Sequence, residues 1–131
     1  MSEKKKLLKE NDYQVGSGAE FTCAKFGTPS CSVLAAGDDL NNVMLWRLTN
    51  TKPKMTLTGQ TTSSSVMEFN ESASRLFTGT KGGTVHVWDL QQACEVVKLK
   101  GHLTTCTALA SSKSNQYLVT GSQDTKVKLW D

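Results

Sequence analysis

The chain has 131 residues, of which 37% are hydrophobic and 21% charged, and its formal net charge is +3. These values are ordinary for a globular domain, and so small a positive charge gives no indication of nucleic-acid binding. The amino-terminal segment lacks the apolar core of a signal peptide, and no apolar run approaches the length of a membrane span. We therefore expect a protein of a reducing intracellular compartment, with neither nucleic acid nor membrane as a partner.

The amino-terminal residues 1–12 are polar and rich in lysine, so they are predicted to form a disordered basic tail. A basic arm for an acidic surface is the alternative, and a solvated leader is favoured over it. Short apolar or alternating segments then follow, separated by clusters of glycine, proline, asparagine and serine. The strands predicted in chain order are 13–15, 21–26, 33–36, 43–46, 55–57, 65–69, 75–78, 84–88, 95–99, 105–109, 117–120 and 125–130.

One of the predicted turns is a tight connection at Lys81-Gly82-Gly83, where paired glycines supply the positive φ that a two-stranded hairpin needs. No segment shows the 3.6-residue periodicity of a long helix. The cysteines show no Cys-x-x-Cys spacing, and no histidine lies near enough in sequence to indicate a zinc finger. We expect reduced, half-buried cysteines and no metal or cofactor; the cysteines are Cys23, Cys31, Cys94 and Cys106.

Several landmarks recur along the chain with a period of 42 residues. Each period contains a glycine, a valine and a tryptophan at fixed spacing: Gly37, Val43 and Trp46; Gly79, Val85 and Trp88; Gly121, Val127 and Trp130. Periods of about 40–45 residues with a Gly-His and a Trp-Asp are typical of propeller blades built from four strands. The sequence therefore predicts an all-β, partial β-propeller with three consecutive four-stranded antiparallel blades, the last one incomplete.

The same landmarks resemble those of the WD-repeat family, in which each blade is tied by a tetrad of His, Ser or Thr, Asp and Trp side chains. Burying such polar groups without partners destabilises the fold, and this free-energy cost is small when they form hydrogen bonds with one another. The third repeat contains the complete set: His102, Thr120, Asp124 and Trp130. The other repeats are incomplete, so we expect them to rely more on packing than on this network. The second has Thr78 and Trp88, but Gln60 replaces His and its turn at 81–83 has no Asp; the first has Asp39 and Trp46. Asp89 is a further repeat landmark, as part of the Trp-Asp pair.

A closer resemblance is to the WD-repeat regulatory subunits of katanin, a microtubule-severing complex. It covers residues 13–131, and the supporting segments are 36–39, 43–46, 57–59, 65–70, 87–90 and 121–131. It implies repeats at about 13–54, 55–96 and 97–131, and a fragment of a propeller that needs six or seven blades. It also implies tubulin and a katanin-type ATPase subunit as partners, and a cytoplasmic, cytoskeletal location such as the centrosome or spindle pole.

An enzyme is the least favoured class, because no phosphate-binding Gly-x-x-x-x-Gly-Lys-Ser/Thr motif is present and no nucleophile accompanies His102 and Asp124. The function predicted is a microtubule-binding interaction module, whose lysines would attract the acidic surface of tubulin. The alternatives are a scaffold of another complex, such as a ubiquitin-ligase substrate receptor or a trafficking coat, and a truncated product. The candidate partner-binding residues are Lys81, Lys98, Lys100, Lys126 and Lys128.

Overall fold

The computed structural model describes residues 20–27, 32–49, 54–112 and 116–131, and every regular element in these ranges is a β-strand. The predictions for residues 1–12, for a strand at 13–15 and for Cys31 lie outside these ranges. The strands are β1 (Phe21–Phe26), β2 (Val33–Asp38), β3 (Val43–Arg47), β4 (Met55–Leu57), β5 (Ser64–Phe69), β6 (Arg75–Thr80), β7 (Val85–Asp89), β8 (Cys94–Leu99), β9 (Cys106–Ser111), β10 (Leu118–Ser122) and β11 (Val127–Trp130).

These strands form three antiparallel sheets in which neighbours in sequence are also neighbours in space. Sheet 1 has the order β1-β2-β3-β4, sheet 2 the order β5-β6-β7-β8, and sheet 3 the order β9-β10-β11. The prediction of an all-β chain with two complete four-stranded units and an incomplete third is confirmed. The sheets do not start where the sequence periods start, because Met55–Leu57 pairs with β3 and so closes sheet 1.

The second hairpin of each sheet repeats one backbone conformation. Residues 41, 83 and 125 occupy equivalent positions, and their φ angles are 70° at Asn41, 90° at Gly83 and 71° at Thr125. The prediction of positive φ at paired glycines therefore holds for Gly83 and is wrong for Gly82. Asparagine tolerates this left-handed region, whereas the β-branched Thr125 is strained there.

The sheets stack face to face, and two hydrophobic clusters lie in the layers between them; a third, of Ala36, Met44 and Trp46, lies on the other face of sheet 1. Between sheets 1 and 2 the packed side chains are Ala35, Val43, Leu45, Leu57, Met67, Phe69, Leu76 and Trp88. Between sheets 2 and 3 they are Val85, Cys106 and Leu118, with Val66, Phe77, Leu99, Leu109 and Trp130 packed against them. Because sheet 2 is covered on both faces, all four residues from Val85 to Trp88 are buried, as are those from Val43 to Trp46 in sheet 1.

Hydroxyl groups on the first strand of each sheet tie the stack together. Thr22 Oγ1 donates to the Gly37 carbonyl (3.1 Å) and lies 2.6 Å from the Ser64 carbonyl of the next sheet. Ser65 Oγ repeats this arrangement, with the Gly79 carbonyl at 3.1 Å and the Cys106 carbonyl of sheet 3 as its partners. Sequence analysis missed this device, although the hydroxyl residues recur at nearly the repeat period.

Candidate functional site

Sheet 3 brings together the four side chains that sequence analysis grouped. His102 Nδ1 lies 3.1 Å from Asp124 Oδ2, and His102 Nε2 lies 2.7 Å from Thr120 Oγ1. Trp130 Nε1 donates to the same Thr120 oxygen at 2.9 Å. The carboxylate can only accept, so the Nδ1 nitrogen carries a proton; in the tautomer with this single ring proton, Nε2 accepts from the Thr120 hydroxyl. The chain of hydrogen bonds therefore runs from indole to hydroxyl to imidazole to carboxylate.

Asp124 is the electrostatic centre of this network. Its Oδ2 accepts from the Leu103 N–H at 3.0 Å and its Oδ1 accepts from the Lys126 N–H at 2.9 Å. The backbone hydrogen bond from Leu103 is the largest cause that lowers the pKa of Asp124 from 3.8 to about 2; desolvation opposes it, and Lys126 and His102 reinforce it. Asp124 thus joins the β8–β9 connection to the β10–β11 turn.

Sheet 2 also contains a hydrogen-bond network, in a repeat that sequence analysis expected to rely more on packing. Trp88 Nε1 donates to Thr78 Oγ1 at 3.0 Å, and Thr78 donates to Gln60 Oε1 at 2.6 Å. Gln60 Nε2 in turn donates to Ser64 Oγ at 3.0 Å. The amide oxygen of Gln60 accepts where an imidazole nitrogen accepts in sheet 3, so the replacement of His by Gln does not remove the hydrogen bond to the threonine hydroxyl.

In sheet 1 the turn carboxylate is Asp38 and not Asp39. Asp38 is fully buried, and its Oδ1 accepts from the N–H groups of Leu40 and Asn42 at 3.0 and 2.9 Å. Asp39 instead accepts from the N–H of Glu20 at 3.1 Å. Trp46 is buried and its ring meets Phe21 edge-on, with 6.1 Å between the ring centroids.

The remaining repeat landmarks shape turns and close contacts. Asp89 Oδ1 accepts from the N–H groups of Gln91 and Gln92 at 2.9 and 3.2 Å, which closes the β7–β8 turn. A Cβ atom on Gly37 would lie 2.8 Å from Ser64 Cβ, and one on Gly79 would lie 2.6 Å from Cys106 Sγ. These two glycines therefore permit close approach of the next sheet, whereas Gly121 has only an ordinary contact at 3.5 Å.

The five candidate lysines lie at one end of sheets 2 and 3. We call this the upper end, the end formed by the turns 39–42, 81–84 and 123–126 and by the β8–β9 connection 100–105. Lys81 and Lys126 are exposed in two of these turns, and Lys100 is exposed in the connection. Lys98 is opposite His86 near the top of β8, and Lys128 is opposite Thr120 near the top of β11. Lys128 packs its stem near Gly101, so its side chain is less free than the others.

Further side chains of types that could react or bind a metal are His86 and the cysteines. His86 is 2% exposed, lies 2.7 Å from Glu95 Oε1 through its Nδ1 atom and stacks on Trp88. Cys23, Cys94 and Cys106 are free thiols; Cys106 is buried, Cys94 is exposed, and only Cys23 is half-buried as expected. Burial raises the pKa of Cys23 and Cys106, which disfavours their reactive thiolate forms. The described residues contain no cluster of three histidine, cysteine or carboxylate side chains that could hold a metal.

One cavity of about 350 Å³ lies between the outer strands of sheets 2 and 3. Phe77, Val97 and Leu99 line one side, and Tyr117 and Trp130 line the other. None of the five candidate lysines contributes to it. No helix in the part of the chain that the structure describes is long and apolar enough to cross a membrane.

The stacked sheets and their repeated indole–hydroxyl hydrogen bonds define a propeller-type repeat protein. The WD domain, G-beta repeat family matches residues 51–89 and 93–131, together more than half of the chain, and the chain belongs to this family. WD domains are generally non-catalytic interaction modules, and this chain is a WD-repeat interaction module.

Solved structures share this fold at low sequence identity. The crystal structure of RRP9 WD40 repeats superposes with a TM-score of 0.81 at 19% identity, over 88% of this chain and 36% of that one. The structure of U3-55K gives the same TM-score and identity, over 88% of this chain and 37% of that one. The chain thus spans little more than a third of these structures. No curated protein sequence matches the chain.

Proposed function

We propose that the chain binds an acidic protein surface through the lysines of its upper end, and that the microtubule lattice is that surface. The observation that carries this proposal is the placement of Lys81, Lys98, Lys100, Lys126 and Lys128 at a single end of sheets 2 and 3. Lysines that lie at one end of the sheets add their attraction for an acidic partner and increase its rate of association.

The carboxylates near these lysines are few and mostly occupied. Within residues 81–84, 100–105 and 123–126 the acidic residue is Asp124, and its oxygens are occupied by His102 and two backbone N–H groups. Glu95 is paired with His86, and Asp39 lies in the sheet 1 turn. At the opposite end the described parts of these sheets carry Glu71, Asp89 and Asp131 beside Arg75. The two ends therefore differ in charge, which orients the molecule toward an acidic surface.

The katanin resemblance supports the microtubule as the partner. In this proposal the chain helps to position a severing ATPase on the lattice and contributes no chemistry of its own. Its place of action is then the cytoplasmic cytoskeleton, including the centrosome or spindle pole.

Microtubule co-sedimentation tests this proposal. The variant Lys81→Glu/Lys126→Glu changes two exposed lysines and should weaken binding about three- to tenfold, with wild-type binding falling as salt rises. The matched control is Arg47→Glu/Lys54→Glu, which reverses two exposed charges at the opposite end of sheet 1 and should leave binding unchanged. Binding that is insensitive to salt, or equal loss in both double variants, would contradict the electrostatic account.

A scaffold role in another complex is the second candidate. It is favoured by the occurrence of the same fold in RRP9 and U3-55K at 19% identity, since the fold alone does not assign a partner. Affinity purification separates the two candidates. Recovery of tubulin with a katanin-type ATPase supports the first, whereas recovery of ubiquitin-ligase or coat subunits without tubulin supports the second.

A further inference from the structure

Leu103 is the most exposed large hydrophobic residue in the described part of the chain, with 79% of its surface accessible to solvent. It lies in the β8–β9 connection at the upper end, directly after the buried His102. A single exposed leucine is common, but this one occupies the middle of the lysine-bearing surface. Its position therefore depends on how the connection is held.

The connection is fixed at several atoms. The Leu103 N–H donates to Asp124 Oδ2 at 3.0 Å, and the Thr104 carbonyl accepts from Ser122 Oγ at 3.2 Å. On the other side, Thr105 Oγ1 donates to the Lys81 carbonyl at 3.1 Å. The backbone that carries Leu103 is thus already ordered. Binding of a partner to Leu103 therefore costs this connection little conformational entropy.

Three lysines lie in the segments that adjoin Leu103. Lys81 is in the β6–β7 turn, where a Cβ atom on Gly83 would lie 2.5 Å from the His102 carbonyl oxygen, so that turn abuts the connection. Lys126 follows Asp124 in the β10–β11 turn, and its N–H bonds to the same carboxylate that holds Leu103. Lys100 precedes Leu103 in the connection itself.

We propose that Leu103, Lys81, Lys100 and Lys126 form a docking site for an acidic peptide segment that places one apolar side chain against Leu103. The inference rests on the proposed function and makes it more specific, because it names the chemistry of the segment that is bound. The lysines attract the acidic residues, and the apolar contact decides which acidic segments bind tightly. Binding to a membrane surface would need a larger apolar face than one leucine provides.

The test uses two short fluorescent peptides of glutamate and serine, one with a central leucine and one with serine in its place. Leu103→Ser should weaken binding of the leucine peptide about three- to tenfold and leave the serine peptide unchanged. Lys100→Gln should weaken both peptides equally. The control Leu48→Ser removes a leucine that is 38% exposed at the opposite end of sheet 1, and it should change neither affinity.

The outcomes separate this site from the proposed function. Equal loss for both peptides in Leu103→Ser, or binding to anionic vesicles in place of the peptides, overturns the docking site. Peptide binding that depends on Leu103 without microtubule co-sedimentation upholds the site and refutes the microtubule proposal. Microtubule binding, combined with no effect of Leu103→Ser on either peptide, refutes the docking site and upholds the microtubule proposal. Circular dichroism on each variant establishes that the fold is retained.

Discussion

At the residue scale, sheets 2 and 3 use different side chains to complete the hydrogen bonds that begin at a tryptophan. A buried indole N–H needs an acceptor, and Thr78 and Thr120 supply it in sheets 2 and 3. Each hydroxyl then needs its own acceptor, which is the amide oxygen of Gln60 in sheet 2 and the imidazole of His102 in sheet 3. Only the second solution ends on a titratable carboxylate, so only sheet 3 acquires a dependence on pH from its network.

Asp124→Asn should destabilise the protein near neutral pH, and the difference from wild type should shrink in acid. The pKa of Asp124 is about 2 when folded and near 3.8 when unfolded, so the folded state favours the charged form. A depressed folded pKa stabilises the protein above the unfolded value and ceases to do so as pH falls through the folded value. Urea denaturation between pH 7 and pH 3 measures this, and a constant difference across that range would contradict the assignment.

Gln60→Ala is the control for that experiment. It leaves the buried Thr78 hydroxyl without its acceptor and should reduce the free energy of unfolding by about 1–3 kcal/mol. No member of the Gln60 network titrates in this range, so the reduction should be the same at every pH tested. A loss that varies with pH in Gln60→Ala would show that something other than Asp124 controls the acid response.

At the element scale, equivalent positions in neighbouring strands meet different surroundings. Gly37, Gly79 and Gly121 occupy the same place in β2, β6 and β10, but only the first two face a following sheet at close range. Strand pairing is local and repeats faithfully, whereas the contact between sheets depends on which sheet comes next. The sequence repeat thus determines strand pairing within each sheet more strictly than it determines the contacts between sheets.

Gly79→Ala should destabilise the protein by about 1–3 kcal/mol, because the added methyl group would lie 2.6 Å from Cys106 Sγ and 2.8 Å from Val66 Cγ2. Gly121→Ala is the matched change, and it should be close to neutral because its nearest neighbour, Ala108 Cβ, is 3.5 Å away. Thermal denaturation compares the two. Similar losses in both variants would show that the glycines are needed for the strand backbone and not for the approach of the next sheet.

At the scale of the whole molecule, the three sheets bury two interfaces and leave one apolar face open within the described residues. Val127 and Leu129 are 75% and 67% exposed, although their equivalents Val85 and Val87 are buried beneath sheet 3. An exposed apolar strand face favours association. The same residue types therefore stabilise the core in one sheet and form an exposed apolar face in another.

Val127→Thr/Leu129→Gln should lower self-association with little effect on stability, within about 0.5 kcal/mol. The equivalent change in sheet 1, Val43→Thr/Leu45→Gln, should destabilise the protein strongly because those positions are 0% and 1% exposed. Light scattering and urea denaturation report the two effects. Unchanged scattering in the first variant would mean that this face does not drive association.

The sequence by itself determined the strand content and the period of 42 residues, and its resemblance to the WD-repeat family implied the grouping of His102, Thr120, Asp124 and Trp130. Strand content and period are local features: turn residues, alternation and fixed spacing repeat wherever the same short backbone geometry repeats. Only the tertiary structure decided that Gln60 joins a network, that Asp38 and not Asp39 closes the first turn, and that lysines lie in the segments that adjoin Leu103. Those outcomes depend on which elements meet in space, and residues far apart in the chain do not reveal that through pattern alone.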